Sequence, residues 1–453
     1  MSEVAVFGAG CTGPLVALLL ARRGHVVTIY ERRADPRTHV VPPGRSINLA
    51  LADRGIRALR QAGLMDQLRP ALVPMHSRMI HEPGRPPQSL RYGQRDDEVL
   101  WSASRANLHR LLIEAAVAEG VHCRFGQSLV SADFRARTAT LQDETSGHPY
   151  TIGMVPAIGA DGTGSMLRSA MADAGLCTAS EDLLAHRYKE LHIAPNAQGQ
   201  PRLDSGHLHI WPRGGHMLIA LPNADNSFTA TLFMPTEGAQ ASFQALSTAA
   251  AARTFFAQEF PDVLALIADF DTQYASHPVG RLATIYTDQW HVADSALLIG
   301  DAAHGVVPFH GQGLNCCFED CLALDRLWSE TTDWERCFAR FTAERRPNAD
   351  AIARMAIENY QEMRDTVRDP LFQLQKALSL TLERRHPQRF IPRYSMVMFH
   401  GEIPYAEAER RGALQREILD AATRGVTTLA AVDLEFIDQL ILERLTPLDA
   451  ATS

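Results

Sequence analysis

Lysine is almost absent from this chain: only Lys189 and Lys376 stand among 44 basic residues, which 52 acidic ones outnumber for a formal charge of -8. The scarcity of lysine carries no functional message of its own, but the acidic balance does. No basic stripe offers the clustered cations that a polyphosphate backbone needs, so no nucleic-acid partner is expected. Long apolar runs are missing as well. The longest candidate, residues 14–21, is closed by Arg22 and Arg23, well short of the roughly 20 residues that cross a bilayer. The first strand begins already at Val4 with no secretory leader before it, so no membrane partner and a cytoplasmic location are expected. Cysteine is present but unpatterned. The seven are scattered singly apart from Cys316, Cys317 and Cys321, which gives neither a disulfide framework nor a Cys-x-x-Cys redox pair and fits a reducing compartment. No His or Cys spacing forms a ligand set, so no metal is expected, and the three neighbouring cysteines read as small helix fillers.

At 453 residues and 46% hydrophobic composition, the chain should divide into two or three domains. Two glycine-rich turns some three hundred residues apart dominate it. The first follows the apolar residues 4–7 and reads Gly8-Ala9-Gly10-Cys11-Thr12-Gly13, a strand, a tight turn and a helix start, where bare backbone lets a pyrophosphate approach a helix N-terminus. Alone it leaves a chance glycine turn open. Glu31 ends the next β-branched stretch, about 20 residues on, where a carboxylate accepts hydrogen bonds from ribose hydroxyls or is simply a solvated strand end. The second turn follows the apolar residues 296–299: Gly300-Asp301-Ala302-Ala303-His304, then Pro308-Phe309-His310-Gly311-Gln312-Gly313-Leu314-Asn315 opening a helix. A carboxylate there can hold sugar or ribityl hydroxyls, and a helix start offers N–H groups to an anion. Between them, a buried strand ends on Asp161-Gly162, with Arg168 beyond; a plain β-turn reads the same way.

Helical patterns cover residues 13–23, 53–63 and 104–118. Period two takes over in residues 188–193, 207–211, 217–220 and 228–233, split by Pro, Gly and Asn turns, which suggests an antiparallel sheet walling a separate lobe. From residue 318 the pattern is helical again: through 362, over 371–384, and from 405 onward. No second Gly-x-Gly-x-x-Gly marks a second dinucleotide domain, which sets the chain apart from disulfide reductases with two such domains.

Together the two turns resemble those of the flavoprotein hydroxylases, whose Gly-Asp-Ala-Ala-His run lies beside the ribityl and pyrophosphate portion of FAD. Residues 44–51, 74–81, 208–212, 309–315, 359–363 and 390–396 narrow this further: over nearly its whole length the chain resembles the kynurenine 3-monooxygenase family. Some eukaryotic members end in a membrane anchor, whereas residues 434–445 are broken by Glu435, Asp438 and Glu443, which implies a soluble, bacterial-type member. The resemblance implies an α/β fold with a Rossmann-like FAD-binding domain of the para-hydroxybenzoate hydroxylase kind (residues 1–70, 95–180 and 285–365), an antiparallel-sheet substrate domain (71–94 and 181–284) and a helical C-terminal region (366–453). It implies noncovalent FAD, NADPH as co-substrate, dioxygen, and L-kynurenine or a close analogue hydroxylated beside its aniline nitrogen through oxygen activated at flavin C4a. A homodimer is one open assembly.

The resemblance also assigns residues. Gly8, Gly10, Gly13, Glu31, Arg105, Asp161, Gly162, Asp301, Gly311, Gly313, Leu314 and Asn315 would hold the cofactor, with the Asp161 run and its arginine serving the nicotinamide as well. Kynurenine is an α-amino acid bearing an aniline ring, so its pocket needs a carboxylate clamp and an apolar slot. Arg78 would be the clamp, a bidentate fork, with Tyr92 and Tyr394 adding hydroxyls; by residue type alone these are equally a surface arginine and two edge-of-core aromatics. Phe233, Pro308, Phe309 and His310 would form the slot. Asn359 and Glu362, spaced to share a helix face, would approach the amino group and ring, although in isolation they read as a solvated pair. His310 is either a satisfied loop histidine or a proton carrier. Two other readings stay open: a hydroxylase of a substituted kynurenine, and a flavin-binding sensor or partner module without oxygenase activity.

Overall fold

The computed structural model describes residues 2–38, 48–362 and 369–448; of the family-like runs, residues 44–47 and Met363 lie outside the described residues. An uninterrupted apolar run suits a strand covered on both faces, and Glu3–Phe7 is such a strand. It lies within a six-stranded sheet ordered His291–Val292, Ala296–Leu298, Ala157–Gly159, Glu3–Phe7, Val26–Glu31, His122–Phe125. Every neighbouring pair is parallel except the first. Phe7 stands in register with both Gly159 and Tyr30, and Gly159 with Leu298. Four strands therefore finish level, and Gly8, Glu31, Asp161 and Gly300 come to one edge, the edge at which open α/β sheets bind ligands. Helix Thr12–Arg22 starts from the first glycine turn and helix Gly313–Glu330 from the last. The two pack together, with Cys321 Sγ donating to the Thr12 carbonyl at 3.7 Å and Phe318 and Leu324 buried in the same core as Leu15 and Val16.

A second sheet has seven strands, ordered Val279–Thr287, Ala179–Ile193, Phe228–Pro235, Met217–Pro222, His207–Pro212, Ser77–Ile80, Gln88–Arg91. It corrects the expectation of a wholly antiparallel sheet, because His207–Pro212 runs parallel to Ser77–Ile80, with Leu208 opposite Arg78. Side-chain alternation has the same period in either direction, so the sequence pattern does not carry strand direction. This pairing brings Arg78 into the sheet that holds Phe233. One face of the sheet packs on helices Ala249–Glu259 and Phe270–Ser276 through Phe256, Phe260 and Phe270.

Two smaller sheets complete the β structure: an antiparallel one of Gln127–Asp133, Thr138–Asp143 and Pro149–Gly153, and one of Leu49–Leu51, Leu100–Ala103 and Leu72–Met75. Helix Trp334–Gln361 carries the C-terminal helices: Ile352 and Met355 pack with Met396, Met398 and Tyr405 from Arg393–Phe399 and Tyr405–Ala422. Pro370–Arg385 and Leu434–Arg444 close a further apolar cluster through Leu378, Leu382, Ile437 and Ile441. Among the described residues no helix is long and apolar enough to cross a membrane.

Candidate active site

Backbone alone shapes the first glycine turn. Gly8 sits at φ +99°, where a Cβ would lie 2.5 Å from the Ala160 carbonyl oxygen, and a Cβ on Gly13 would lie 2.0 Å from the Gly8 oxygen. Those two glycines let the chain pack on itself. Gly10 differs: a Cβ there meets nothing within 4 Å, and the residue lines a cavity of about 760 Å³. Helix Thr12–Arg22 begins at this cavity with no side-chain cap and no acid in its first turn, and helix Gly313–Glu330 opens onto it in the same condition. Two helix N-termini that no cap or acid neutralises make a receptor for anionic groups. The turn before the second is Pro308–His310 followed by Gly311 at φ +65°, a left-handed residue that suits glycine.

Charged side chains ring this cradle. Glu31 is buried, its Oε2 accepting the Ala9 N–H at 2.8 Å and its Oε1 the Arg33 N–H at 2.9 Å and Nε–H at 2.7 Å. Burial would raise its pKa, but the Arg33 contacts and the two backbone N–H groups outweigh burial and hold it below the ordinary value. Asp161 goes the other way, lifted by burial; its Oδ2 accepts the Met166 N–H at 2.7 Å, while Oδ1 finds no partner among the described residues. Gly162 follows at φ +81° with open space where a Cβ would stand. Asp301 opens helix Asp301–His304, and Arg105 opens helix Arg105–Ala118 behind the Ser104 cap; both line the cavity. Arg168 does not. It is buried and donates to the carbonyls of Ala302, at 2.7 Å, and Thr163, so it ties two turns together.

In the same cavity stand Arg78, Phe233, Pro308, Phe309, His310 and Tyr394. The Arg78 guanidinium lies over the Tyr394 ring at 4.6 Å and the Tyr92 ring at 5.7 Å. Its Nε and the Tyr92 hydroxyl are buried without hydrogen-bond partners among the described residues. Burial works against the charge on Arg78, and Tyr394, Tyr92 and then Glu362 outweigh it, so the guanidinium stays cationic. Phe309 packs at 5.1 Å on Phe233 and stacks at 4.1 Å on Tyr360. His310 stacks on Tyr394 at 5.4 Å; burial first, then Arg393 and Arg78, push its pKa down to about 3. It is therefore a neutral imidazole at ordinary pH.

Other expected site residues stand behind the wall. Asn315 is fully buried and saturated: its Oδ1 accepts the Ala52 N–H at 2.9 Å, and its Nδ2 donates to the carbonyls of Ala50, at 2.9 Å, and Gly311, at 2.8 Å. Asn359 donates to the Phe309 carbonyl at 2.6 Å. Both hold the 308–313 loop and neither lines the cavity; Gly13, Tyr92 and Glu362 do not line it either. Residues not foreseen do line it: His109, whose Nε2 meets the Ala9 carbonyl, Cys11, Cys317, and Met217, Ile219 and Leu221. The last three alternate along one strand, a period-two signal legible in the sequence. Burial raises the Cys11 thiol to about 11 and lifts Cys317 well above its ordinary value, so both stay protonated. His304, Cys316 and Asp320 also bring donor atoms within 4.8 Å of one another, but the Arg345 guanidinium already sits against Asp320 at 2.7 Å and Cys316 at 3.6 Å.

The fold is shared with solved flavoenzymes. Over 82% of this chain and 94% of theirs, it matches 2-methyl-3-hydroxypyridine-5-carboxylic acid oxygenase with a TM-score of 0.67 at 18% identity. PqsL of P. aeruginosa, solved with 2-aminobenzoylacetate, matches at 0.64 and 21% identity over 81% of this chain and 97% of the other. A family model described as FAD binding domain covers residues 1–356, and the uncapped helix ends, open glycines and cavity-lining acids Glu31, Asp161 and Asp301 fit that cofactor; the protein is an FAD-dependent aromatic hydroxylase. The kynurenine 3-monooxygenase of Stenotrophomonas maltophilia (strain K279a) is 48% identical over 449 residues, 99% of this chain and 98% of that one, and its counterpart in Xanthomonas axonopodis pv. citri is 46% identical over the same span. The chain belongs to the kynurenine 3-monooxygenase family.

Proposed function

We propose that the protein converts L-kynurenine to 3-hydroxy-L-kynurenine, consuming NADPH and dioxygen, with FAD bound noncovalently. When bound, the flavin supplies hydride acceptance and oxygen activation; the chain supplies binding, orientation and a dry site. The observation that carries the substrate reading is Arg78, a buried cation whose Nε and whose neighbour Tyr92 Oη are unsatisfied by the described residues, beside an apolar slot. An α-amino acid with an aromatic tail fits both ends. Its carboxylate would take charge-assisted bonds from Arg78 and hydroxyl donors from Tyr92 and Tyr394, and its ring would lie among Phe233, Pro308 and Phe309. Glu362, electrostatically coupled to Arg78, would face the substrate ammonium.

His310 shapes the slot as a ring that burial holds neutral in the working pH range, while Asn359 and Asn315 act on the loop backbone. Gly8, Gly10 and Gly13 shape the pyrophosphate turn, Glu31 the ribose end, and Arg105, Asp161, Gly162 and Asp301 the middle of the cofactor. Gly311, Gly313 and Leu314 would border its ring. The domain division given above and a homodimeric assembly belong to this proposal. So does a cytoplasmic location, which the seven free cysteines favour. The test is mass spectrometry of the product formed from L-kynurenine, NADPH and air. A gain of one oxygen atom at the ring position beside the amino group is expected; substrate-independent NADPH consumption without that product would refute the reading.

A further inference from the structure

The histidine of the Gly300 to His304 run does not reach the cavity. It turns away, its Nε2–H donating to Asp320 Oδ2 at 2.6 Å, and the same oxygen accepts the Gly300 N–H at 3.1 Å. Arg345 meets the other oxygen, its Nε–H donating to Oδ1 at 2.7 Å. Asp320 is fully buried. Burial would lift its carboxyl, but His304 and Arg345 outweigh burial and keep it ionised. The turn so gripped is a tight one: Gly300 is at φ +62°, and a Cβ there would stand 3.1 Å from Cys317 Sγ and from the Thr12 side chain. One carboxylate therefore fastens both ends of a five-residue segment, through the amide of Gly300 and the ring of His304. Between those ends sits Asp301, the only side chain of the segment that lines the cavity.

We infer that Asp320 is a positioning residue, which sets the Asp301 carboxylate for the flavin's ribityl hydroxyls by holding Gly300 and His304, with Arg345 balancing its charge. The inference rests on the proposed role of Asp301. A buried anion that served packing alone would need no link to the turn's first amide, since Arg345 and His304 already satisfy it as an ion cluster.

A double-mutant cycle tests this, reading FAD release on dilution of the full-length holoenzyme by flavin fluorescence. Asp301→Ala, Asp320→Asn and the double variant are compared, each checked for folding by its melting temperature. Asp301→Ala is expected to weaken FAD at least tenfold, Asp320→Asn at least fivefold, and the double variant no more than twofold beyond Asp301→Ala, because Asp320 acts through a side chain already gone. The long-wavelength flavin absorption band should shift alike in both single variants. Penalties that multiply in the double variant, or an Asp320→Asn protein that binds FAD normally, overturn the inference. Unchanged FAD binding in Asp301→Ala instead refutes the role of Asp301, and this inference with it. If Asp320→Asn does not fold, His304→Leu enters the same cycle with the same expected non-additivity, because its side chain cannot donate to Asp320, which releases the far end of the segment and leaves the Arg345 pair intact.

Discussion

Replacing Arg78 by alanine isolates the carboxylate clamp. In the structure this guanidinium has aromatic faces at 4.6 and 5.7 Å and, among the described residues, neither an acceptor for its buried Nε nor a salt bridge, so its removal should not unfold the protein. What is lost is its bond to the substrate. A hydrogen bond between charged partners contributes about 1.5–3 kcal/mol net, which is roughly a 10- to 150-fold rise in Kd at about 1.4 kcal/mol per decade. The upper half of that range is the better expectation, because the aromatic walls exclude water that would otherwise screen the pair. Tyr92 and Tyr394 still offer hydroxyls, so binding is weakened and not abolished. The assay is the change in flavin absorbance on titrating the anaerobic holoenzyme with kynurenine and, separately, with its decarboxylated analogue. The analogue should bind equally poorly to wild type and variant. If Arg78→Ala still prefers the acid over the analogue as strongly as wild type does, Arg78 is not the carboxylate partner.

Asp301→Ala should cost about 1.5–3 kcal/mol of FAD affinity, measured as fluorescence released on dilution; full flavin occupancy at nanomolar protein would refute the assignment. Phe309→Ala removes a ring packed on Phe233 and Tyr360 and should raise the ratio of hydrogen peroxide to hydroxylated product severalfold under air, at normal flavin content, by admitting water and disordered substrate poses; an unchanged ratio would show that the ring guards nothing. His310 is held neutral down to about 3, whereas its ordinary value is 6.5, so between those values the unfolded chain binds more protons and stability, complete above the upper value, is lost as pH falls toward the lower one. His310→Asn should therefore lose less Tm than wild type between about pH 7 and about pH 4, and equal losses would contradict the burial of a neutral ring.

The cofactor cradle was legible in the sequence because its geometry is local. Gly8, Gly13, Gly300 and Gly311 stand in short loops where a positive φ or a close backbone approach leaves little choice of residue, Gly10 completes the fingerprint with open space beside it, and the apolar runs before them announce the strands. The clamp was not legible in this way. Arg78, Tyr92 and Tyr394 are far apart in the chain, and no spacing rule joins them; only resemblance to a family brought them together. Asn315 and Asn359 were likewise placed at the site by the resemblance alone; their amides donate to main-chain carbonyls, of Gly311 and Phe309 respectively, a contact that no spacing rule announces. Period two located the strands of the large sheet without giving the parallel pairing of His207–Pro212 with Ser77–Ile80, which sets where Arg78 stands.

That pairing bears on why the site can afford unsatisfied polar atoms at all. The Nε of Arg78, the hydroxyl of Tyr92, Oδ1 of Asp161 and Nδ1 of His310 are buried without partners among the described residues, and each such atom costs about 1–3 kcal/mol. Asn315, Asn359 and Asp320, a short distance behind the wall, are fully engaged with backbone or counter-charge. A fully engaged supporting layer behind polar atoms with bonding capacity left is what a rigid receptor requires: Arg78, Asp161 and His310 on the cavity wall are backed by neighbours that have no freedom left, and their spare bonding capacity would serve FAD and substrate. It follows that ligand binding should raise the melting temperature more than an equal count of new surface contacts would, because it repays a desolvation cost the folded chain already bears.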